Sequence, residues 1–194
     1  SKKINVVDRL SKHLDKGTPA SAAASYLQQV RNWVPAAPVI HIDDSDVVKQ
    51  DGYKFESLGI VRDGSESTST KNVYKKRYHV TEACVLTTSN HPVSIFSKIH
   101  SSAEKGYKSA NVITFEAMEQ GAALFKRATF CMDRGYDDNK MFLKLDDLEQ
   151  DYVIRLTSKR KLLYHNKWTP ATELRDRRKG KIKTSVFYRG KEHE

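Results

Sequence analysis

The stretch from Val39 to Lys49 constrains this chain most. Val39, Ile40, His41 and Ile42 form a β-prone, apolar run, yet Asp43, Asp44 and Asp46 follow at once, before Val47 and Val48. An ionised carboxylate is costly to remove from water unless it is paired or holds a cation. Acids embedded among Val and Ile therefore predict a strand that delivers them, buried, to a site, and a hard metal is the first expectation.

The size of the chain bounds what such a site can belong to. With 194 residues, 38% hydrophobic and 30% charged, it can bury one good core plus a small appendage. Its formal net charge is +10, and residues 155 to 194 carry thirteen Lys or Arg against four acids. Nine of the ten net charges thus lie in the last fifth, which predicts a neutral body with a basic tail facing a polyanion. No apolar run approaches the roughly 20 residues needed to span a bilayer, and the N-terminus lacks the apolar core of a signal peptide. A soluble, cytoplasmic protein with no membrane partner is expected. Cys84 and Cys131 stand alone in apolar strand-like runs, so buried thiols are expected rather than zinc or a disulfide.

Ile4, Val7, Leu10 and Leu14 fall at helical spacing, and Gly17-Thr18-Pro19 supplies a stop and a restart. A second helix follows through Ala23, Tyr26, Leu27, Val30 and Trp33, ending before Pro35. The pair reads as a helical hairpin packed on the main domain, since its charge is mixed and no basic face emerges. After the acidic strand, β-rich runs are predicted over Phe55 to Arg62, Tyr78 to Thr87 and Val93 to His100, joined as hairpins. Ile113, Ala117, Gly121 and Leu124 mark a helix running to about Lys126. Ala128 to Met132 is a strand ending at Asp133-Arg134-Gly135-Tyr136, where Gly135 is read as a turn glycine with positive φ. Asp137 or Asp138 caps a helix with Met141, Phe142, Leu145 and Leu148 inward, and Tyr152 to Leu156 is another strand.

Hairpin-joined strands followed by helix, strand, helix, strand is the order of a ribonuclease H-like α/β fold, a mixed sheet with helices on its faces. In that arrangement the first strand lies beside the later parallel one, so Asp43 and Asp133 would sit side by side. Two converging carboxylates suit Mg²⁺ or Mn²⁺, because hard cations take oxygen ligands and Mg²⁺ is usually held by one or two carboxylates plus phosphate. In a regular strand Asp44 and Asp46 face away from Asp43, which predicts a cap or salt bridge for them; a bulge would exchange Asp43 for Asp44. Arg134 reads either as a phosphate contact or as an ion-pair partner of Asp133.

The ordered set Ile42-Asp43-Asp44-Ser45-Asp46 with Lys49, Phe55-Glu56-Ser57-Leu58-Gly59 leading to Arg62-Asp63-Gly64-Ser65, and Cys131-Met132-Asp133-Arg134-Gly135-Tyr136 with Val153-Ile154-Arg155-Leu156 resembles bacterial insertion-sequence transposases of the Asp-Asp-Glu type. The similarity covers roughly residues 38 to 160. It implies a cut-and-paste enzyme that hydrolyses DNA at transposon ends and joins the 3′-hydroxyl to target DNA, with Asp43 and Asp133 as the first two catalytic, metal-binding acids. It further implies two Mg²⁺ or Mn²⁺ ions about 4 Å apart once a third carboxylate is present. Asp43 would bridge the ions and Asp133 would bind one. The partners implied are terminal inverted repeats and target DNA, with a homodimer forming in the synapsed complex in a bacterial cytoplasm at the nucleoid.

The third acid of that family is a Glu on a helix beyond a β-rich insertion. Glu173, Glu192 and Glu194 have no helical context matching that Glu, so the third acid is expected outside this chain, and this polypeptide alone is expected to be poorly active or inactive. The domains expected are 1–36, an N-terminal helical segment; 37–158, the incomplete catalytic core; and 159–194, the start of a basic, β-rich insertion with strands at Leu162 to Tyr164 and Lys181 to Tyr188. In that segment Lys159, Arg160, Lys161, Lys167, Arg175, Arg177, Arg178 and Lys179 are candidate phosphate contacts, and Trp168 is either a stacking residue or a strand-end anchor. Two other functions stay open: a junction-resolvase type of ribonuclease H-like nuclease, and a non-catalytic nucleic-acid-binding module. The last would be an odd use of paired acids, which repel phosphate when no metal is present.

Overall fold

The structure is a computed structural model that describes residues 12, 16–17, 20–63, 66–178, 186–188 and 191–193, with side chains through Leu174. Apart from Lys12, the helix expected from Ile4 to Leu14 lies outside the described residues, as does Lys179. Elements in chain order are α1 (Ala20–Trp33), β1 (Val39–Val48), β2 (Gly59–Arg62), β3 (Tyr74–Leu86), β4 (Pro92–His100), α2 (Ala110–Leu124) and β5 (Thr129–Met132). A 3-10 turn (Arg134–Tyr136) then leads to α3 (Asn139–Asp147), β6 (Asp151–Ile154), β7 (Lys161–Tyr164), β8 (Lys167–Pro170), α4 (Ala171–Arg178), β9 (Val186–Tyr188) and β10 (Lys191–His193).

Six strands form one mixed sheet in the order β2-β3-β1-β5-β6, with β4 also on β3. Strands β1 and β3 are antiparallel, whereas β1–β5 and β5–β6 are parallel. The expected neighbourhood of the first strand and the later parallel strand is therefore present. The long strand β3 serves two neighbours along one edge: Tyr74 to Arg77 pair with β2, and His79 to Leu86 pair with β4.

Alternation decides what is inside. Ile40 and Ile42 of β1, Ala83 and Val85 of β3, and Phe130 and Met132 of β5 share one core. Val30 and Val34, Ala117 and Met118, and Met141 and Leu145 reach the same core from the helical segments. On helix α2 the buried residues Ile113, Ala117 and Gly121 repeat every fourth position, as expected for one face. Gly121 is where the sheet comes closest, since a Cβ there would stand 2.8 Å from Ile40 Cδ1 and 3.0 Å from Phe130 Cζ. The other sheet face carries exposed Val39, His41 and Val153 and half-buried Cys84 and Cys131. Helices flank the mixed sheet, as expected, whereas the thiols expected to be buried are only half-buried.

Other expectations shift in extent. The run predicted from Phe55 is strand only from Gly59, because Ser57 at φ 53° takes the left-handed conformation and breaks the extended chain. The basic connection expected after Tyr164 is instead a hairpin and a helix. His165 and Asn166, at φ 47° and 60°, make the tight turn that joins β7 to β8. Glu173, read as lacking a matching helical context, lies in the first turn of α4. Among the described residues no helix is long and apolar enough to cross a membrane.

Candidate metal and nucleic-acid site

The β1–β3 register runs without interruption from Ile40↔Val85 to Val48↔Arg77, so no bulge reverses the facing of the acids. Asp43 shares its side with His41 and opposes Glu82; Asp44 shares its side with Ile40 and Ile42 and opposes Thr81. On the other edge of β1 the parallel ladder ends at Ile42↔Met132, which makes Asp43 and Asp133 the next residues along both strands. The two acids expected to adjoin thus follow the last paired position.

The acids are not buried, contrary to the expectation from their Val/Ile neighbours. Asp43, Asp44 and Asp46 are exposed, because β5 stops at Met132 and the second half of β1 runs past the core with β3 alone beside it. Each acid has different company. Asp46 binds His79 Nδ1 at 2.9 Å and the Arg77 guanidinium, the salt bridge expected of it. Asp44 Oδ1 accepts a 2.6 Å hydrogen bond from Thr81 Oγ1, whose hydroxyl is also 2.9 Å from His100 Nε2. Tyr136 is buried and its hydroxyl lacks an aligned hydrogen bond. Burial first, then the charges of Asp44, Asp43 and Asp133, push the Tyr136 phenol far above its usual range. One phenol thus senses all three carboxylates, Asp44 most strongly.

Asp133 is oriented by its own turn. It caps Arg134–Tyr136, accepting a 2.6 Å bond from the Gly135 amide at Oδ1. Gly135 does not have the positive φ expected of it. Its role is room, since a Cβ there would lie 2.9 Å from Asp133 Oδ1. Arg134 is exposed and makes no ion pair with Asp133, which leaves its guanidinium available to a phosphate.

Beyond this turn the two acids expected to cap α3 divide the work. Asp138 caps it, accepting from Lys140 N at 2.9 Å. Asp137, its side chain 1% exposed, accepts from Thr157 N at 2.7 Å and from Arg160 Nε at 2.7 Å. Arg160 also reaches Asn139 Oδ1 at 2.5 Å and the Asp137 carbonyl at 3.0 Å, and its guanidinium lies 5.2 Å from the Phe142 ring centre. Arg160, a candidate phosphate contact from sequence, is therefore engaged in internal bonds. It is a strut between the turn that carries Asp133 and the strand β7. Burial works against ionisation of Asp137, but the hydrogen bonds from Arg160 and Thr157 prevail and hold its carboxyl below the ordinary value.

Around that strut Lys159, Lys161 and Lys167 are exposed, and Trp168 is 49% exposed. An open cavity of about 430 Å³ is lined by Thr157, Lys159, Arg160, Lys161 and Trp168. Arg175, Arg177 and Arg178 fall on helix α4, interleaved in sequence with Asp176 and preceded by Glu173.

The donor set suits one class of ion. Among the described residues no three or more His, Cys, Asp or Glu gather as a ready metal cage. Carboxylates nevertheless follow the end of the β1–β5 ladder on both strands, which matches Mg²⁺ or Mn²⁺ bound by one or two acids with phosphate completing the shell. Sequence reasoning misses Thr81, His100 and Tyr136; Tyr136 reads only as part of a turn, and the other two carry no local signal. No protein-family model matches this chain, and no curated protein matches it.

Proposed function

We propose that this chain is the catalytic-domain portion of a DNA transposase of the Asp-Asp-Glu type, built on a ribonuclease H-like core and acting with Mg²⁺ or Mn²⁺ on transposon ends. One observation carries the reading: the parallel pairing of β1 with β5, which brings Asp43 and Asp44 to Asp133 although some ninety residues separate them in sequence. In this reading Asp133 and the strand acids hold the metal. When bound, the metal would polarise the phosphodiester and lower the pKa of the attacking water or 3′-hydroxyl. Asp133 is held for this by Gly135 N–H, Asp44 by Thr81, and Arg134 stands ready for the phosphate. Lys159, Lys161 and Lys167, fixed next to the acid turn through Arg160 and Asp137, track the DNA backbone, and Trp168 offers a face for a base. The DNA would be engaged as a synapsed homodimer.

The test is Mn²⁺ binding followed by electron paramagnetic resonance, with and without a short DNA duplex. Binding strengthened by DNA and weakened by Asp133→Asn and by Asp43→Asn or Asp44→Asn is the expected result. Mn²⁺ affinity unchanged in Asp133→Asn and in the Asp43→Asn, Asp44→Asn double variant rejects the site. DNA binding with no Mn²⁺ effect at all would favour a non-catalytic binding module instead.

A further inference from the structure

Asp44 ends a hydrogen-bonded chain that crosses three strands. Thr81 is fully buried in β3 and His100 is 1% exposed in β4, yet neither belongs to the apolar core. A hydroxyl has one proton, and Thr81 gives it to the Asp44 carboxylate, which can only accept. The contact from Thr81 Oγ1 to His100 Nε2 must then be one in which the imidazole donates, so the proton of a neutral His100 sits on Nε2. Its Nδ1 is left as a bare acceptor, and that atom is indeed buried without a partner. An orphaned buried acceptor is destabilising. The ring is nonetheless fixed in place, stacked between His79 at 5.6 Å and Tyr107 at 5.9 Å. Burial first, then the charge of His79, lowers the His100 pKa, which favours the neutral ring this geometry requires. Asp43, on the opposite side of the same strand, makes no side-chain hydrogen bond to any described residue.

We infer that Thr81 and His100 are positioning residues of the acid site: His100 directs the only hydroxyl proton of Thr81 toward Asp44, which fixes the carboxylate with Oδ1 engaged and its second oxygen presented to a cation. The inference rests on the metal-site reading above, and it makes Asp44 the pre-oriented acid of β1 and Asp43 the mobile one. Partners that orient a ligating carboxylate commonly change metal affinity by about 10- to 100-fold.

Thr81→Val, Thr81→Ser, His100→Leu and His100→Gln separate orientation from packing, because Ser keeps the hydroxyl and Gln keeps a donor near the Nε2 position. Two readouts are needed. In metal-free protein, three-bond couplings report whether Asp44 holds one χ1 rotamer; Mn²⁺ titration reports affinity. Rotamer averaging with a 10- to 100-fold loss of affinity is expected for Thr81→Val and His100→Leu, and near-parental behaviour for Thr81→Ser and His100→Gln. If Asp133→Asn weakens Mn²⁺ binding while Thr81→Val and His100→Leu change neither readout, the positioning role is overturned and the metal site stands. If the parent binds no Mn²⁺, the metal-site reading fails and the inference with it. Should Thr81→Val not fold, Thr81→Ser against His100→Leu carries the same comparison.

Discussion

Replacing Arg160 by Met removes the strut between the acid turn and the basic hairpin while keeping most of the side-chain volume. The Asp137 side chain is 1% exposed and that of Arg160 is 17% exposed, so the substitution leaves the carboxylate with Thr157 for a donor and no cation beside it. Breaking one side of a buried ion pair costs about 3–5 kcal/mol, and the partial exposure of Arg160 argues for the lower end, about 3 kcal/mol. That is a large share of the roughly 5–15 kcal/mol that holds a typical domain folded. Urea unfolding followed by the fluorescence of Trp33 and Trp168 should show a midpoint lower by about 1–3 M at unchanged slope. The pH dependence gives a second check. Asp137 has a lowered carboxyl pKa in the folded protein, so its contribution is fully present above the unfolded value near 3.8 and is lost as pH falls through the folded one. The parent should therefore lose this stabilisation below about pH 4, and Arg160→Met should show a flatter profile in that window. DNA binding by the folded variant should keep its salt dependence, whereas Lys159→Ala and Lys161→Ala should each reduce the slope of log affinity against log salt by about 0.9. An Arg160→Met protein within about 0.5 kcal/mol of the parent, with its salt slope reduced by one contact, would refute the strut and restore Arg160 as a phosphate ligand.

Gly135→Ala should displace Asp133, since the new Cβ would stand 2.9 Å from Oδ1; loss of this exposed capping bond is worth about 1 kcal/mol, and weaker Mn²⁺ binding in calorimetry is the check. Gly121→Ala gains about 1 kcal/mol of helix propensity but forces a methyl against Ile40 and Phe130, costing about 1–3 kcal/mol, so thermal melting should move down slightly or stay level. A rise would mean that helix α2 can retreat from β1. Tyr152 is pushed up to about 12 by burial and then by Asp146. An unfolded tyrosine loses its proton near pH 10, so this group withdraws stability as pH rises from about 10 toward that value, and Tyr152→Phe should flatten the alkaline limb of a stability profile.

Local pattern and long-range register were not equally legible in the sequence. The period-two run at Val39 to Ile42 and the four-residue repeat of Ile113, Ala117 and Gly121 are local properties, and both elements formed as expected. So did the adjacency of β1 and β5, which follows from element order alone. What failed needed knowledge of where neighbours stop. The acids of β1 looked buried because their own strand is apolar, but β5 ends beside Ile42 and leaves them in water. Helix α4 has almost no apolar repeat in Ala-Thr-Glu-Leu-Arg-Asp-Arg-Arg, so nothing in its pattern separated it from a basic loop. The hydrogen bonds from His100 to Thr81 to Asp44 depend on two registers at once and leave no trace in any single segment. Arg160 shows the same limit at one residue: a Lys-Arg-Lys triplet hides which of its members faces inward.

The shared edge of β3 also bears on how the protein acquires its site during folding. Strands β3 and β4 meet through a short loop, and β2 reaches β3 across an intervening segment of modest length. These closures are entropically cheap and can form early. Strand β1 needs a longer closure to lie against β3, and the β1–β5 ladder that ends at Ile42 and Met132 joins the most distant partners in the sheet. Contacts that close the longest loops tend to come late on a folding route. A chain halted before that last step would already hold Asp44 against Thr81, but its strand acids would have no Asp133 beside them. Metal-binding competence would then report completion of the sheet, appearing in a refolding experiment only after strand formation is otherwise over.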